Sequence, residues 1–309
     1  MRVRHLVLQA LREGGGLVLG VLAFGAFKLA RAVPRGAAIR IGSALTRTLG
    51  PLTPAHRTGL DNLAKALPTL SAAERRRILA AVWDNLGRTA VEYVHLDEIW
   101  DLEIVGTDPP QVRSERFEIV GIENFAALRD GSRPAIIVAA HLGNWELPMV
   151  AAAAHGLKAA AVFRAPNNRW IARWVLARRK TAMGELIPSR RGAVHAMAAV
   201  LERGDHLGLL VDQRFGRGIR VPFFGRPALS NPTFARLARR FDCPVHAVRV
   251  SRLPGDRFRI ELSAALPLPR DAEGSLDVAG ATAFVARWFE AWIREDPSQW
   301  LWLHRRWRL

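Results

Sequence analysis

Short apolar runs alternate with amphipathic stretches of helical length along the chain from residue 117 onward. A short apolar run is typical of a buried strand, and strands that alternate with helices indicate an α/β fold. The predicted strands are 117–120, 135–140, 159–163, 207–211, 245–250 and 258–262. The predicted helices are 122–129, 145–155, 169–183, 193–203, 232–241 and 278–295. The sequence therefore predicts a mixed, partly parallel sheet flanked by helices.

The part of the chain before this alternation has a helical pattern. Between residues 37 and 102 apolar residues recur at three- and four-residue spacing, and no strand signal is found there. Ser71 and Glu74 form a capping-box sequence, which predicts a helix that begins after Ser71. The polar stretch 106–114 predicts a linker. We therefore expect three parts, which are an N-terminal membrane anchor at 1–36, a helical segment at 37–112 and an α/β core with a basic aromatic tail at 113–309.

An apolar, glycine-rich run at 14–27 lies between basic residues. Arg2, Arg4 and Arg12 precede the run, and Lys28 follows it directly. The run is shorter than the ~20 residues that a spanning helix needs, and no small-residue cleavage site follows it. We expect an uncleaved anchor that either spans the membrane at a tilt or lies in its interface. Basic residues flank both sides, so the sequence does not fix the orientation.

The charge of the chain predicts an anionic partner. Lys and Arg number 45 against 28 Asp and Glu, which gives a formal net charge of +17. Anionic lipid, an acidic carrier protein and nucleic acid all fit such an excess. Ten Trp beside a single Tyr, together with many Arg, favour a membrane surface over nucleic acid. Cys243 is the only cysteine, which excludes an intrachain disulfide and a zinc cluster of several cysteines.

Two basic aromatic stretches, at 169–180 and 300–308, fit the same kind of partner. In the first stretch apolar positions recur at helical spacing on a cationic helix, as expected of a helix that lies in a membrane interface. Either stretch could bind an acidic carrier protein or phosphate groups. The alternative for the first is a surface helix that packs its Trp side chains on the core.

The most informative run extends from Ile136 to Pro148. A buried strand ends near Ala140, and a helix must begin near Trp145, because Pro148 is tolerated only in a first helical turn. Asn144 is then the predicted N-cap, and Gly143 permits the sharp turn before it. His141 therefore lies at the carboxyl end of a strand, where open α/β sheets bind their ligands.

His141 and Glu146 are the candidate reactive pair. The strand-to-helix turn lets the two side chains meet, and a carboxylate that accepts a hydrogen bond from one imidazole nitrogen leaves the other nitrogen as a base. Such a pair can deprotonate an alcohol. The alternative is that both residues are structural, since short motifs often are. A metal site is not indicated, because the spacing H-E-x-x-H is absent.

Four blocks of the sequence, in order, resemble one family. The first is the run His141-Leu142-Gly143-Asn144-Trp145-Glu146. The others are Val162-Phe163-Arg164 with Asn167, then Leu210-Val211-Asp212-Gln213 with Val221-Pro222-Phe223-Phe224-Gly225, and finally Pro297, Gln299, Trp300, Trp302, His304, Arg305 and Arg306. Together they resemble the bacterial lipid A late acyltransferases, the lauroyl and myristoyl transferases of the lysophospholipid acyltransferase superfamily.

The resemblance implies an enzyme at the cytoplasmic face of the inner membrane. It implies transfer of an acyl chain from acyl carrier protein, or from acyl-CoA, to a hydroxyl of a lipid A precursor, with no metal, prosthetic group or nucleic acid. It makes His141 the general base and Glu146 its orienting carboxylate. Backbone N–H groups near Gly143 and Asn144, or Arg164, would stabilise the oxyanion. No G-x-S-x-G sequence is present, so direct transfer without a covalent acyl-enzyme is expected.

Four further residues are the predicted substrate-binding set, which are Asn144, Arg164, Asp212 and Gln213. Arg164 follows a predicted strand directly and should emerge beside His141. Asp212 and Gln213 follow another strand in the same way, where an Asp could hold Arg164 or orient the acceptor. The alternative for these positions is a solvated Arg and ordinary turn residues.

Two other functions compete with this interpretation. One is acylation of a different membrane lipid, such as a lysophospholipid or a glycolipid. The other is a basic, non-catalytic protein that binds membranes or nucleic acid, but a nucleic-acid binder would not need the apolar run at 14–27. The sequence does not reveal the acyl chain length, since that depends on the depth of an apolar pocket.

Overall fold

The computed structural model describes residues 20–21, 23–106, 110–165 and 168–308. Ten helices with assigned bounds lie in this part of the chain. They are α1 Arg35–Leu49, α2 Pro54–Ala66, α3 Ala72–Val94, α4 Leu96–Ile99, α5 Ile122–Asp130, α6 Leu147–Ala154, α7 Arg169–Ala182, α8 Ala193–Glu202, α9 Thr233–Phe241 and α10 Val278–Glu295. Short 3₁₀ turns at Gly50–Leu52 and Pro297–Gln299 follow α1 and α10.

Eleven strands in the described residues form one large sheet and two hairpins. The strands are β1 Glu103–Val105, β2 Gln111–Arg113, β3 Phe117–Val120, β4 Ile136–Ala139, β5 Ala159–Phe163, β6 Glu185–Pro188, β7 His206–Leu210, β8 Ile219–Phe223, β9 Arg226–Ser230, β10 Val245–Leu253 and β11 Arg257–Leu262. The large sheet has seven strands in the order β3-β11-β10-β4-β7-β5-β6. The pairs β1-β2 and β8-β9 are antiparallel hairpins.

The large sheet is parallel except at one junction. Strands β10, β4, β7, β5 and β6 run in one direction, and β11 and β3 run in the other. The prediction of a mixed, partly parallel sheet flanked by helices is therefore confirmed. The carboxyl ends of β4 and β7 lie side by side, so the loops that follow them meet at one edge of the sheet.

Helix α3 begins as the sequence predicts. The Ser71 hydroxyl accepts a hydrogen bond from the backbone N–H of Glu74, and the Glu74 carboxylate accepts one from the backbone N–H of Ser71. Two backbone N–H donors at the start of the helix are thereby satisfied. The helix then packs on α1 and carries Asn85, Thr89 and Glu92, which are buried, toward the sheet edge.

The predicted linker at 106–114 is wrong in part, because β2 lies within it and pairs with β1. Strands β6, β8 and β9 are also absent from the sequence prediction. Strands β1 and β2 have three residues each and are too short to show an alternating pattern, and Pro222 within β8 argues against a strand in sequence reasoning. The β8-β9 turn is formed by Phe224 and Gly225, both with positive φ. The sequence signal that is usual for such a turn is Asn-Gly, and Phe-Gly does not match it.

The predicted anchor at 1–36 lies largely outside the described residues, which begin at residue 20. Residues 20–21 and 23–32 are helical. Across the part of the chain that the structure covers, every helix is too short or too polar to cross a membrane. The anchor therefore stays a prediction.

The basic aromatic tail packs into the core, in contrast to the predicted surface role. Trp300 and Trp302 are fully buried, and Arg306 is buried with its guanidinium over the ring of Phe223. The Arg306 guanidinium donates to the Leu229 carbonyl and to the Ser230 hydroxyl. Sequence type alone misleads here, because Trp and Arg side chains suit a membrane surface and a packed aromatic core equally well.

Candidate active site

The turn after β4 is built from Gly143 and Asn144. Gly143 has φ of +53°, and a β-carbon there would collide with the Val250 carbonyl. The Asn144 side-chain oxygen accepts from the backbone N–H of Glu146 at 3.2 Å. Helix α6 begins at Leu147, two residues later than predicted, and its N-cap is Glu146 rather than Asn144. Pro148 lies in the first turn, as its missing N–H requires.

His141 is paired with Asp212. The imidazole Nδ1 lies 2.8 Å from Asp212 Oδ1, and the backbone N–H of His141 donates to Asp212 Oδ2 at 3.0 Å. Register explains the contact, because Ala139 of β4 lies opposite Leu210 of β7 and each reactive residue follows its strand by the same two positions. Asp212 thus carries the orienting contact on His141.

Asp212 is held as a carboxylate by its neighbours. Burial by itself would raise its pKa, but the charge of His141 and hydrogen bonds from His141 and Trp300 outweigh burial and hold the pKa well below its usual range. The Trp300 indole N–H donates to Oδ2 at 2.7 Å. A buried carboxylate with these donors keeps the neighbouring imidazole in one orientation and one tautomer.

The second imidazole nitrogen, Nε2, lies beside Gln213. His141 lines a large cavity, and its Nε2 lies 3.4 Å from the Gln213 side-chain amide. With Nδ1 engaged by Asp212, Nε2 is the nitrogen that can take a proton from a reactant. Gln213 lines the same cavity, so the structure brings His141, Asp212 and Gln213 together.

Glu146 and His141, both in the described part of the chain, do not form the predicted hydrogen bond. Instead, Glu146 Oε1 accepts from the Arg179 guanidinium at 2.5 Å. Arg179 lies over the rings of Tyr93 and Phe163, each 5.8 Å from its guanidinium carbon, and its buried Nε has no hydrogen-bond partner. The prediction failed because the partner of His141 comes from a neighbouring strand, which sequence spacing cannot reveal.

The cavity has a volume of about 880 Å³ and two different ends. At the carboxyl edge of the sheet it is cationic, and the arginines there are Arg164, Arg179, Arg190, Arg191, Arg214 and Arg217. From His141 it continues between α6 and the sheet, where its lining is apolar and often small. Ala139, Ala161 and Gly208 on the strands and Ala151 and Ala152 on α6 leave the room for this channel.

The two remaining predicted residues differ in placement. Arg164 follows β5, is exposed and lines the cavity with His141, as expected. Asn144 is fully buried, does not line the cavity, and donates to Glu92 at 3.0 Å. Its contacts build the turn, and no contact with the cavity supports the predicted substrate-binding role.

A buried network from α3 supports the turn. The Asn85 side-chain amide donates to the Gly143 carbonyl at 3.1 Å, and Glu92 receives both Asn144 and the guanidinium of Arg252. Arg252 also donates to Asn85 at 2.9 Å. Each buried charge therefore has a partner, which is the condition for burying it.

The tail supports the turn from the other side. The backbone N–H of Gly143 donates to the Gln299 carbonyl at 3.1 Å, and that of Leu301 donates to the His141 carbonyl at 3.1 Å. With the Trp300 indole on Asp212, three consecutive tail residues hold the reactive pair. The final sequence block contains Gln299 and Trp300, but local patterns do not predict their contacts with the reactive pair. Nor do they single out Leu301 or Arg179, since each of these residues acts from a distant part of the chain.

No group of three His, Cys, Asp or Glu side chains in the described ranges could hold a metal ion. The chemistry available to these residues is proton transfer at His141 and charge stabilisation by the nearby guanidinium groups. A base at the junction of an apolar channel and a cationic surface suits a reaction between an apolar chain and an anionic partner.

Comparison with known proteins identifies the family. The family model for bacterial lipid A biosynthesis acyltransferases matches residues 15–309. The chain is 26% identical over 263 residues to the lipid A biosynthesis palmitoleoyltransferase of Escherichia coli K12, covering 80% of this chain and 76% of that protein. The Shigella flexneri lipid A biosynthesis acyltransferase matches to the same extent. The E. coli K12 lipid A biosynthesis lauroyltransferase is 24% identical over 258 residues, covering 80% of this chain and 77% of that protein. The chain therefore belongs to the bacterial lipid A biosynthesis acyltransferase family, whose members transfer acyl groups in the synthesis of lipid A.

Proposed function

We propose that the protein transfers a fatty acyl chain directly from a thioester, on acyl carrier protein or coenzyme A, to a hydroxyl of a lipid A precursor. One observation carries the proposal, which is that the His141–Asp212 pair lies where an apolar channel meets a cationic cleft. The channel fits an acyl chain, and the cleft fits the phosphates of an acceptor or the acidic surface of a carrier protein.

His141 is the proposed general base. Asp212 accepts a hydrogen bond from Nδ1–H, so Nε2 is free to take the proton of the acceptor hydroxyl as the oxygen attacks the thioester carbonyl. The new C–O bond forms, the C–S bond breaks, and the imidazolium returns its proton to the departing thiolate. The acyl group passes directly between the two substrates, so no acyl-enzyme is formed.

Arg179 is the proposed donor to the oxyanion. Of the predicted backbone donors near Gly143 and Asn144, the N–H of Gly143 already donates to the Gln299 carbonyl, and that of Leu142 donates to the Ala140 carbonyl. Arg179 lines the same cavity as His141, and its side chain is 17% exposed. Glu146 then acts on the reaction by holding this guanidinium in place, which differs from the predicted contact with His141.

We further propose that the protein works at the cytoplasmic face of the inner membrane. Helix α1 and the turn after it expose a stripe of large apolar side chains, here named the α1 stripe, which consists of Ile41, Leu45, Leu49 and Leu52. Exposed Arg40 and Arg47 lie beside it. An apolar stripe bordered by cations suits the interface of an anionic bilayer, and it would act together with the anchor expected at 1–36.

The test is acyl transfer by detergent-extracted protein from labelled acyl carrier protein to a lipid A precursor. We expect His141→Ala and Asp212→Asn each to lower kcat by about 10² to 10⁴, because one removes the base and the other its orienting carboxylate. His195→Ala, which removes an exposed histidine of α8, is the matched control and should retain activity.

Three outcomes would change the proposal. Transfer to lysophospholipid but not to the lipid A precursor would make the acceptor assignment wrong and keep the mechanism. Full activity of His141→Ala would show that His141 is not the general base. Labelled acyl chain bound covalently to the protein in the absence of acceptor would overturn direct transfer.

A further inference from the structure

The apolar channel runs along α6 for the whole length of that helix. Pro148, Met149, Ala151, Ala152 and His155 all line it, and they lie on one face of α6 and its C-cap. A helix rises 1.5 Å per residue, so the channel extends roughly 13 Å from the reactive turn to His155. Its course is therefore set by the direction of the helix.

The sheet gives the same length independently. The channel is lined from the carboxyl end of β5 at Phe163 to its first residue, Ala159. Four steps of about 3.3 Å along a strand again give roughly 13 Å. The channel thus crosses the sheet from its carboxyl edge to its amino edge, and Leu262 and Phe125 also line it.

A cluster of rings stands at this far end. The His155 imidazole meets Phe125 edge to face, with centroids 6.3 Å apart, and lies 5.7 Å from the Trp100 ring. Leu128 and Leu157, both buried, line the same end. His155 follows the last turn of α6 directly, so its ring is fixed by the helix end and by the two aromatic side chains.

The polar atoms of this cluster are unusual for an apolar channel. His155 Nε2 and Trp100 Nε1 are both buried without a hydrogen-bond partner. Burial lowers the pKa of His155, and the charge of Arg129 lowers it further, so both favour the neutral ring. A hydrocarbon chain has no group that can form a hydrogen bond with these atoms. A terminal methyl group that moved past them would therefore gain no hydrogen bond and would have to displace a packed ring.

Resting on the proposed function, we propose that His155, backed by Trp100 and Phe125, ends the acyl channel and thereby sets the longest acyl chain that the enzyme accepts. An extended polypeptide backbone spans about 1.2 Å per bond, and an extended acyl chain advances by a similar distance. A channel of roughly 13 Å therefore holds about ten to twelve carbons. The ligand class at this site is therefore a medium-length acyl chain, with its methyl end against the His155 ring.

Gly208 gives a second position in the channel, nearer the reactive pair. It lies in the middle of β7, and a β-carbon there would come within 3.2 Å of the Met149 sulfur. Enlarging Gly208 narrows the channel, whereas shrinking His155 lengthens it. The two substitutions should therefore move donor preference in opposite directions, which a general loss of folding cannot do.

The experiment measures kcat/KM for acyl carrier protein donors from about eight to about sixteen carbons, since these lengths bracket the channel. We expect His155→Ala to raise the relative kcat/KM of a donor two carbons longer than the wild-type optimum by roughly tenfold, as expected for two more buried methylene groups. Gly208→Val should shift the optimum to shorter donors. His155→Phe, which keeps the bulk and removes the polar atoms, should keep the wild-type cut-off.

His246→Ala is the matched control, because His246 is a buried histidine of β10 that does not line the cavity. It should leave the ratio of rates between donors unchanged. Wild-type activity with an unshifted profile in both His155→Ala and Gly208→Val would overturn the proposed floor while leaving the transfer reaction intact. A wild-type enzyme without transfer from any donor would instead contradict the proposed function.

Discussion

Gly143 is the residue on which the geometry of the reactive turn depends. Its positive φ is costly for any other residue, and the Val250 carbonyl occupies the space that a side chain would need. Its N–H and C=O are both used, by Gln299 and by Asn85. A substitution here therefore disturbs the backbone that places His141, two positions earlier.

We expect Gly143→Ala to lower the free energy of unfolding by about 3 kcal/mol or more, because left-handed strain and a backbone collision add. Gly156→Ala is the matched comparison. Gly156 also has a positive φ, of +77°, but nothing lies near the position of its β-carbon, so only about 1 to 2 kcal/mol of strain is expected. Chemical denaturation and acyl transfer measure the two effects. Equal losses in both variants would show that the Val250 carbonyl does not constrain the turn.

At the same scale, the sequence predicts some roles and not others. His141 and Gly143 follow from a local pattern, which is an apolar run, a turn and Pro148. The partner of His141 does not, because Asp212 is 71 residues away and reaches it only through the adjacency of β4 and β7. Strand order is a property of the packed sheet and cannot be read from a local pattern. The contact of Glu146 with Arg179 also depends on packing, so the sequence does not predict it either.

Among the elements, those with a clear apolar run or a helical period are predictable, and the strands of the two hairpins are not. Strands β3 and β5 and helix α10 have the predicted bounds. The hairpins do not appear in the prediction, since pairing between short segments rather than periodicity forms them. Helix α1 shows what a single element can add, because one face packs on α3 and the other exposes the α1 stripe.

We expect Leu45→Glu/Leu49→Glu to weaken binding to vesicles that contain anionic lipid by about tenfold or more. The two side chains are 53% and 55% exposed, so the change removes apolar contact with lipid and adds repulsion at little cost to folding. Vesicle flotation of the purified protein measures the effect. Val105→Glu/Val120→Glu adds the same charge at exposed apolar positions elsewhere and is the control. If both pairs weaken binding equally, charge alone explains the loss and the stripe is not the contact.

Across the whole molecule, the helical segment, the sheet edge and the tail interlock around the reactive turn. The Asn62 side-chain amide of α2 donates to the carbonyls of Trp302 and His304, at 2.7 and 2.6 Å. The domain boundaries predicted at 36 and 112 stay a prediction, but the contacts across the second are polar and buried. Because these parts pack around shared buried groups, the stability of the whole chain depends on the protonation state of groups in its interior.

We expect the protein to lose stability in mild acid. Burial lowers the pKa of His155, His206, His246 and His304, and that of His304 falls to about 4. Below the usual value near 6.5 the unfolded chain takes up protons that the folded chain refuses, so the free energy of unfolding falls as pH drops from about 6.5 toward the folded pKa. His304 alone contributes about 3 kcal/mol over that interval.

Chemical denaturation at several pH values tests this expectation. His304→Gln, which cannot titrate, should remove a loss of about 3 kcal/mol between pH 6.5 and 4. His195→Gln is the comparison, because it removes an imidazole that folding leaves exposed. Parallel stability curves for wild type and His304→Gln would show that this histidine is not held neutral in the folded state.

The hold of the tail on the reactive pair has a consequence for synthesis. A ribosome translates Gln299, Trp300 and Leu301 long after His141 and Asp212, yet the later residues complete the hydrogen bonds of the earlier ones. A nascent chain that already exposes its apolar α1 stripe still lacks the hydrogen bonds that position His141 and Asp212. We therefore expect a product of premature termination upstream of Trp300 to be inactive, because it lacks the hydrogen bonds that hold Asp212 and His141.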